Sequence, residues 1–290
     1  MPSEKIMTNL SWTASAPANI ALIKYMGKLA GNIPSNASLS YTLNDYRTTV
    51  TLSVADQDSF ENSENLSEYA VQKFMNHLNY VRGIFGCSTN FRVTSKNNFQ
   101  HSAGIASSAS SFAALTMCAC DAITDLMKIS KPSLEEMSEI SRRGSGSSCR
   151  SFFSPWSLWE EKRAKQIDLP KFRHELILID SSVKSVSSSK AHELVRTSLL
   201  FDGRAERANS RLERLIPALQ NKDWRKCYQI CWEEFWDMHA LFETSDPHFG
   251  YISHATLKKL REIETLWREN NDGPIVTIDA GSNIHLLWHE

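Results

Sequence analysis

Small polar residues fill the stretch from Ser102 to Ser111, and an apolar run, Phe112–Met117, follows directly. Small side chains let backbone N–H groups approach a ligand closely, and the N-terminus of a helix attracts an anion. The pattern therefore predicts a phosphate-binding loop that leads into a buried helix. It is not a Walker loop, because no Gly-Lys-Ser or Gly-Lys-Thr closes it. A serine-rich turn that only caps a core helix would have the same composition, so this stretch alone leaves both interpretations open.

A second group of small polar residues, Gly144–Ser151, contains Arg150 near its end. Backbone N–H groups in such a loop can form an anion-binding nest, and a guanidinium beside it can bind an anion through two hydrogen bonds. A flexible linker would have a similar glycine and serine content. The aromatic residues that follow at once, Phe152, Phe153 and Trp156, favour an ordered loop.

Two lysines four residues apart, Lys24 and Lys28, lie between an apolar run and the turn at Gly31–Pro34. Loops that follow strands often contain binding residues, and an ammonium group there can contact an anionic ligand. The two lysines are therefore candidates for an anion site. A solvated surface would also accommodate them.

A candidate catalytic carboxylate, Asp279, follows the apolar segment Ile275–Ile278 and precedes Gly281. A carboxylate held at the end of a buried strand can serve as a general base. An Asx-turn residue would occupy the same place, and the local sequence does not decide between the two roles. His239 lies on an aromatic helical stripe, which is more typical of a structural histidine than of a ligand.

Composition excludes several classes of protein. The 290 residues include 32 Lys and Arg against 33 Asp and Glu, whereas nucleic-acid-binding proteins are more often basic. No run of 18 apolar residues is present, and the first ten residues lack the apolar core of a signal peptide. We therefore expect a cytoplasmic protein with neither nucleic-acid nor membrane partners.

The cysteines are scattered along the chain, which predicts free thiols in a reducing compartment. We expect all of them to pack in the core, because no Cys/His group has the spacing of a metal site. They are Cys87, Cys118, Cys120, Cys149, Cys227 and Cys231.

Apolar periodicity predicts an alternation of strands and helices, and so an α/β (α+β) fold. Predicted strands cover 12–23, 38–43, 48–54, 89–95, 174–181 (as an internal strand), 275–278 and 284–288, with a polar loop over 55–64. Predicted helices cover 71–82, 133–144, 186–192, 194–219, 224–242 and 255–270, and one more follows the serine-rich loop. The helix over 133–144 is predicted to begin with a capping box of Ser133 and Glu136. The predicted domains are 1–180 and 181–290.

Four segments together resemble the GHMP small-molecule kinases and, within them, the diphosphomevalonate decarboxylases. In chain order they are 16–28, 102–109, 144–151 and 278–283, so the resemblance covers nearly the whole chain. The phosphate loop is general to the superfamily. The string Gly-Ser-Gly-Ser-x-Cys-Arg-Ser, together with Asp-Ala-Gly-x-Asn, is more specific to the decarboxylases.

The resemblance implies the GHMP kinase fold, with an N-terminal half like ribosomal protein S5 domain 2, a ferredoxin-like C-terminal half and the site between them. It implies conversion of mevalonate 5-diphosphate to isopentenyl diphosphate, with ATP as co-substrate and Mg²⁺ as cofactor, and a homodimer. Relatives usually continue past the position of Glu290 with a further helix and strand. Either this member is compact or its C-terminal domain continues beyond this sequence.

The same resemblance implies roles for individual residues. The catalytic residues would be Asp279 as the base, Lys24 beside it, and Arg150, which would bind the substrate carboxylate. The substrate diphosphate would be bound by Tyr25, Lys28, Ser145, Ser147 and Ser188. ATP would be bound by Asn97, Gly104, Ile105, Ala106, Ser107, Ser108 and Ala109. No protein ligand is assigned to the metal, because the phosphates themselves can supply most of its coordination.

Three other functions are compatible with the same motifs. A phosphomevalonate decarboxylase or a mevalonate-type kinase would keep the fold and change the substrate or the outcome. A GHMP-like protein that binds ligands without catalysis is the third. The pairing of Lys24 with Asp279 favours the decarboxylating branch.

Overall fold

The computed structural model describes residues 10–61, 66–99, 107–180 and 184–289, and they form a mixed α/β structure. Its contacts divide the chain into two units. Among the described residues, the first unit contains 10–19, 44–61, 66–99 and 107–152, and the second contains 20–43, 153–180 and 184–289. The chain therefore passes between the units several times. The domain division at residues 180 and 181 stays a prediction.

Two long strands run through both units, and the rest of the first unit is built on them. They are β1 (Ser11–Ile23) and β2 (Ser38–Ala55), which pair with each other. In the first unit, residues 48–55 of β2 pair antiparallel with β4 (Asn90–Asn97), and the short β3 (Ser59–Glu61) pairs parallel with β4. The helices of this unit are α1 (Glu68–Phe85), α2 (Ser107–Met127) and α3 (Leu134–Gly144), followed by a 3₁₀ helix over Gly146–Phe152.

Helix α2 is buried on most of its surface, as its apolar and small residues predict. Helix α3 begins with the predicted capping box: the backbone N–H of Glu136 donates to the Ser133 hydroxyl, and the Glu136 carboxylate accepts from the backbone N–H of Ser133. Two otherwise unsatisfied N–H groups at the helix start are thereby bonded.

Close packing fixes the end of α3. A Cβ atom on Gly144 would lie 2.3 Å from Cδ1 of Phe112 on α2 and 2.7 Å from Nδ1 of His77 on α1. Only glycine fits at such a distance without moving one of the helices. The Gly144–Ser151 segment therefore starts from a point where three helices meet.

Among its described residues, the second unit contains four α-helices and two groups of paired strands. Residues 38–41 of β2 pair antiparallel with β5 (Trp156–Glu160), which pairs with β6 (Arg163–Gln166). A separate antiparallel sheet has the order β7 (Phe172–Ile177), β9 (Ile284–His289), β8 (Ile275–Thr277). The helices are α4 (Ser188–Leu194), α5 (Arg204–Gln220), α6 (Trp224–Glu243) and α7 (His254–Asn270).

The aromatic stripe of α6 forms core, as its spacing predicts. Phe235 packs with α7 and with strands β8 and β9, and Trp232 and Trp236 lie partly buried against the same cluster. Phe242 is buried in a second cluster that includes Met26 and Ala280. Helix α6 is therefore the central element of this unit, and it contacts the segments that follow β1 and β8.

Two strand predictions are wrong in extent. The segments 38–43 and 48–54 form one strand, β2, because the polar residues between them stay extended: Arg47 donates to the carbonyl and hydroxyl oxygens of Ser15, and its own N–H is bonded by Asn98. The predicted loop over 55–64 contains β3. Asp58 holds this segment beside β4, because its carboxylate accepts from the N–H of Phe91.

Two further predictions about the second unit are also wrong. Strand β7 is an edge strand rather than an internal one, and it pairs only with β9 among the described strands. The predicted helix over 194–219 is interrupted before α5. The Ser198 hydroxyl bonds the N–H of Leu200 and the hydroxyl of Thr244, and Gly203 takes a positive φ of 74° just before α5 starts.

The cysteines are free thiols, as predicted. Five of them are buried, but Cys87 is only partly buried, so the expectation that all of them pack in the core is wrong for Cys87. Burial raises the pKa of Cys118, Cys120 and Cys149 to about 12. In the part of the chain that the structure describes, no helix is long and apolar enough to span a membrane.

We predict that Gly144→Ala lowers the free energy of unfolding by about 1–3 kcal/mol, the usual cost of overpacking a core. The control is Gly83→Ala in the last turn of α1, where no packed neighbour from outside the helix backbone lies within 4 Å of an added Cβ. That substitution should raise stability by about 0.5–1 kcal/mol through helix propensity. Urea denaturation measures both effects. A Gly144→Ala variant as stable as wild type would show that the three helices separate without cost.

Candidate active site

The start of α2 is joined to β4 and β2 in the first unit by hydroxyl and amide groups. The Thr48 hydroxyl lies 2.7 Å from Oδ1 of Asn97 and 2.6 Å from the hydroxyl of Ser110. The hydroxyl of Ser111 donates to the carbonyl of Ser107 at 2.6 Å. These bonds fix the first turn of the helix next to Asn97. The predicted ATP-binding residues Asn97 and Ser107 are thereby brought together in one network.

The remaining predicted ATP-binding residues divide into two groups. Ser108 is exposed and Ala109 is buried on the first turn of α2. Gly104, Ile105 and Ala106 lie outside the described residues.

Arg150 has a fixed orientation inside the first unit. The side chain is only 4% exposed, and its Nε donates to Oδ1 of Asn19 at 3.0 Å. The Asn19 amide in turn donates to the Ser151 hydroxyl at 2.8 Å and to the Ser147 carbonyl at 3.2 Å. Asn19 lies in the first of the segments that resemble the family. Sequence reasoning assigned it no role, although it holds Arg150 in place.

The serines around Arg150 have different functions. Ser148 and Ser141 share a hydrogen bond of 2.6 Å, and Ser138 donates to the carbonyl of Cys149 at 2.9 Å. These three are buried and hold the 3₁₀ helix against α3. Ser145 and Ser147, the predicted substrate ligands, have hydroxyl oxygens 3.5 Å apart. The loop is therefore ordered, as predicted.

The second unit brings Lys24 and Asp279 together across 255 positions of sequence. Lys24 Nζ donates to Oδ1 of Asp279 at 2.5 Å; the lysine side chain is 2% exposed and the aspartate side chain 27%. Asp279 is therefore reachable from solvent, whereas its partner is not. An Asp that formed only an Asx turn would direct its side chain at a nearby backbone N–H, and this one contacts an ammonium group.

The backbone of Lys24 is held on both sides just after β1. Its N–H donates to Oε1 of Glu234 at 2.8 Å, and its carbonyl accepts from Nδ2 of Asn36 at 3.0 Å. Glu234 is fully buried and also binds Arg204, whose side chain is equally inaccessible. Sequence reasoning missed Glu234, although a carboxylate on the apolar stripe of α6 is a signal that could have found it.

Asp279 lies in a tight turn between β8 and β9. Its carbonyl accepts from the N–H of Gly281 at 2.7 Å and from Nε2 of His239 at 3.2 Å. Asn283 joins this turn to the residues after β7, because its Oδ1 accepts from the N–H groups of Ile179 and Asp180 at 2.8 and 3.0 Å. The turn is thereby attached to both α6 and the segment that follows β7.

Lys184 is a second cation next to this turn. A Cβ atom on Gly281 would lie 3.5 Å from Cε and Nζ of Lys184, and the charges of Lys184 and Asp279 interact. Nothing in its local sequence singled it out, because its neighbours are small polar residues typical of a surface loop.

The predicted diphosphate ligands of the second unit are placed as follows. The ring of Tyr25 packs on Trp159, with centroids 4.7 Å apart, and on His192, at 4.4 Å. Lys28 lies on the next turn and is partly exposed, and its carbonyl accepts from Arg196. Ser188 is exposed at the start of α4. His192 connects these segments, because its Nδ1 accepts from the N–H of Gly27 at 3.1 Å.

Two histidines near Asp279 are neutral. Burial, followed by the charge of Lys24, lowers the pKa of His239 to about 3. Burial, followed by the charge of His174, lowers the pKa of His285 to about 3. The surroundings of Asp279 therefore stay free of imidazolium charge at neutral pH.

Family models match the chain along most of its length. The first, diphosphomevalonate decarboxylase-like N-terminal domain, matches residues 16–168. The second, mevalonate 5-diphosphate decarboxylase C-terminal domain, matches residues 176–290. The chain belongs to the diphosphomevalonate decarboxylase family. This confirms the resemblance that the sequence motifs indicated.

Relatives and solved structures agree with this family. The diphosphomevalonate decarboxylase of Candida albicans is 31% identical over 317 residues, which cover 97% of this chain and 84% of that protein. The crystal structure of a mevalonate diphosphate decarboxylase from Legionella pneumophila is similar with a TM-score of 0.92 and 47% identity, covering 97% of this chain and 93% of the other. A complex of MDDEF with MVAPP, AMPPCP and magnesium has a TM-score of 0.87 and 30% identity, covering 97% and 89%. The GHMP fold of the decarboxylases is thereby confirmed for this chain.

We predict that His239→Gln makes the stability of this decarboxylase-family protein less dependent on pH. In wild type the folded pKa of His239, about 3, lies below the unfolded value of 6.5, so the unfolded state takes up its proton first as pH falls. The contribution of neutral His239 to the free energy of unfolding is fully present above pH 6.5. It decreases as pH falls below 6.5, and about 2 kcal/mol is lost at pH 5.

The measurement is the free energy of unfolding at pH 7, 6 and 5. The glutamine variant should lose about 2 kcal/mol less than wild type between pH 7 and 5. The exposed His254, replaced by Gln, is the control and should leave the profile unchanged. Identical profiles for His239→Gln and wild type would contradict a neutral, buried His239.

Proposed function

We propose that this chain is an ATP-dependent diphosphomevalonate decarboxylase, which converts mevalonate 5-diphosphate and ATP to isopentenyl diphosphate, ADP, phosphate and CO₂. The observation that carries the proposal is the contact of 2.5 Å between Lys24 Nζ and Asp279 Oδ1 in a chain of this family. The complex of the relative MDDEF with MVAPP, AMPPCP and magnesium supports ATP as co-substrate and a diphosphorylated mevalonate as substrate.

The reaction has two stages. The tertiary hydroxyl of the substrate gives up its proton, and its oxygen takes the γ-phosphoryl group of ATP, so that ADP is released. The new C–O–P ester then breaks at its C–O bond, with phosphate as the leaving group. The electron pair of the bond to the carboxylate forms the C=C double bond, and CO₂ departs.

Asp279 is the proposed base of the first stage. Its carboxylate is partly exposed, so a substrate hydroxyl can reach it, and its turn is held by bonds to the Asp279 carbonyl. A carboxylate fixed in this way can accept the hydroxyl proton as the oxygen attacks the phosphoryl group. Lys24 stabilises the negative charge on Asp279 and offsets charge on the phosphate as it leaves.

Arg150 is the proposed ligand of the substrate carboxylate. A guanidinium presents a planar pair of donors that matches a carboxylate, and the bond from Nε to Asn19 fixes the plane of this one. Such a contact would hold the carboxylate in the orientation that its departure as CO₂ requires.

The two phosphorylated groups have separate proposed sites. Tyr25, Lys28, Ser145, Ser147 and Ser188 would bind the diphosphate of the substrate, and this remote binding positions the reacting carbon. Asn97 and residues 104–109 would bind ATP, with backbone N–H groups and the N-terminus of α2 directed at its phosphates.

Mg²⁺ fits this donor set as a partner of the ATP phosphates. In the described ranges, no group of three or more His, Cys, Asp or Glu side chains is placed to hold a metal ion. Mg²⁺ commonly keeps several waters and binds substrate phosphates rather than a cage of protein ligands. The hydroxyls of Ser107 and Ser108 would hold it on the protein side, and the ion would neutralise phosphate charge during transfer.

Two broader expectations stay predictions. The homodimer that the family resemblance implies would be tested by light scattering of the purified protein. A cytoplasmic location would be tested by fractionation of cells that express the chain.

The function is tested by product analysis with mevalonate 5-diphosphate labelled with carbon-14 in its carboxyl group. We expect one labelled CO₂ for each ADP, and neither product without ATP. ADP without CO₂ would indicate a kinase, and CO₂ from mevalonate 5-phosphate alone would indicate the monophosphate enzyme. Binding of ATP without turnover of any substrate would make the chain a ligand-binding protein and contradict the proposal.

We predict that Asp279→Asn lowers kcat by at least ~10²-fold, because the amide cannot accept the hydroxyl proton. KM for the diphosphate and the affinity for ATP should change far less, since neither is bound chiefly through this side chain. The control is Asp202→Asn, an exposed aspartate before α5, which should keep wild-type turnover. A variant that keeps its turnover and melts several degrees lower would make Asp279 a structural residue.

A further inference from the structure

Helix α6 bonds the backbone of both members of the catalytic ion pair. Glu234 accepts the N–H of Lys24 at 2.8 Å, and five residues later His239 bonds the carbonyl of Asp279 at 3.2 Å. Glu234 is 0% exposed and His239 is 2% exposed. One rigid element therefore contacts two segments that lie 255 positions apart in the sequence.

Two arginines of α5 hold Glu234 in position through hydrogen bonds to both of its carboxylate oxygens. Its Oε1 accepts from Arg204 at 2.5 Å as well as from Lys24, and its Oε2 accepts from Arg204 at 3.0 Å and from Arg211 at 2.9 Å. Burial alone would lower the pKa of Arg204, but Glu234 and Asp237 raise it above its usual value. Both side chains are inaccessible to solvent, so neither can rotate away without leaving a buried polar group unpaired.

His239 has a defined protonation state. A carbonyl can only accept, so Nε2 of His239 must carry the proton that it donates to Asp279. Nδ1 is then a bare acceptor, and it has no hydrogen-bond partner among the described residues. The ring packs against Phe242 and Tyr251, which keep it in a single orientation.

We propose that Glu234 and His239 are positioning residues, which set the separation of Lys24 and Asp279 through backbone bonds and so determine the rate of the chemical steps. The inference rests on the proposed function of that pair. Neither residue needs to touch the substrate. A displacement of about 1 Å in a reacting group can cost up to ~10²-fold in rate, so loss of either bond should be visible in kcat.

The first test compares His239→Leu with His239→Gln. Leucine removes the donor, whereas the amide Nε2 of glutamine can replace it in a side chain of similar reach. We expect kcat to fall at least ~10-fold in the leucine variant, with KM for both substrates within about threefold, and to be restored to within about threefold by glutamine. A leucine variant with wild-type kcat, or a glutamine variant as slow as leucine, would overturn the role of His239.

The second test compares Glu234→Gln with Asp237→Asn. Asp237 binds Arg204 at 2.9 Å and Arg211 at 2.6 Å, so its loss disturbs the same arginines. Its carboxylate makes no described contact with Lys24 or Asp279. Both variants should melt at lower temperature, and only Glu234→Gln should lose at least ~10-fold in kcat. Equal loss of kcat in the two variants would show that stability, and not position, is what Glu234 contributes.

Hydrogen exchange separates failure of this inference from failure of the proposed function, because it needs no turnover. Exchange is measured by mass spectrometry on peptides covering residues 20–28 and 278–283. Glu234→Gln should accelerate exchange in the first peptide and His239→Leu in the second, while Asp237→Asn should leave both close to wild type. Unchanged exchange in the Glu234 and His239 variants would overturn the positioning role, even if these variants fold poorly or the wild-type reaction proves to be a different one.

Discussion

A carboxylate with no access to water needs positive partners, and Glu234 meets this requirement in the second unit through Arg204, Arg211 and the N–H of Lys24. Desolvation makes such a group expensive, so helices α5 and α6 have to pack in the one register that brings the charges together. Helix α6 contributes the aromatic core on the same stripe. Helix α6 therefore takes part in both the hydrophobic core and the buried ion pairs of this unit. Because Glu234 of α6 accepts the N–H of Lys24, the segment after β1 is held as well.

In the first unit, neutral groups hold a buried charged side chain, the guanidinium of Arg150. Asn19 uses both ends of its amide, accepting from Arg150 and donating to Ser147 and Ser151. Neutral donors and acceptors are less costly to bury than charges, so a loop of small residues can hold one guanidinium in a fixed plane. The close contact at Gly144 places the start of this loop, and the hydroxyls of Ser138 and Ser148 donate to two of its backbone carbonyls. Rigidity here comes from many short-range bonds rather than from one strong pair.

Sequence reasoning succeeded where the deciding contacts are local. The capping box of Ser133 and Glu136 spans four residues, and the buried body of α2 follows from its own composition. The proximity of Lys24 and Asp279 came from family resemblance, because no local pattern relates residues that far apart. Glu234 was missed for a similar reason: its partners Arg211, Arg204 and Lys24 are 23, 30 and 210 positions away. The interruption before α5 depends on the bond from Ser198 to Thr244, at the C-terminal end of α6, and helix propensity takes no account of such a distant contact.

The distribution of thiols has a practical consequence for following how the molecule unfolds. Cys87, next to the C-terminal end of α1, is partly exposed, whereas Cys227 and Cys231 of α6 are buried. Burial raises the pKa of Cys227 to about 12 and that of Cys231 well above its usual range, so neither offers a thiolate to an alkylating reagent while the second unit is folded. A fluorophore attached to Cys87 would report on the first unit alone. Later alkylation of Cys227 and Cys231 during denaturation would time the opening of the second unit, without any engineered label.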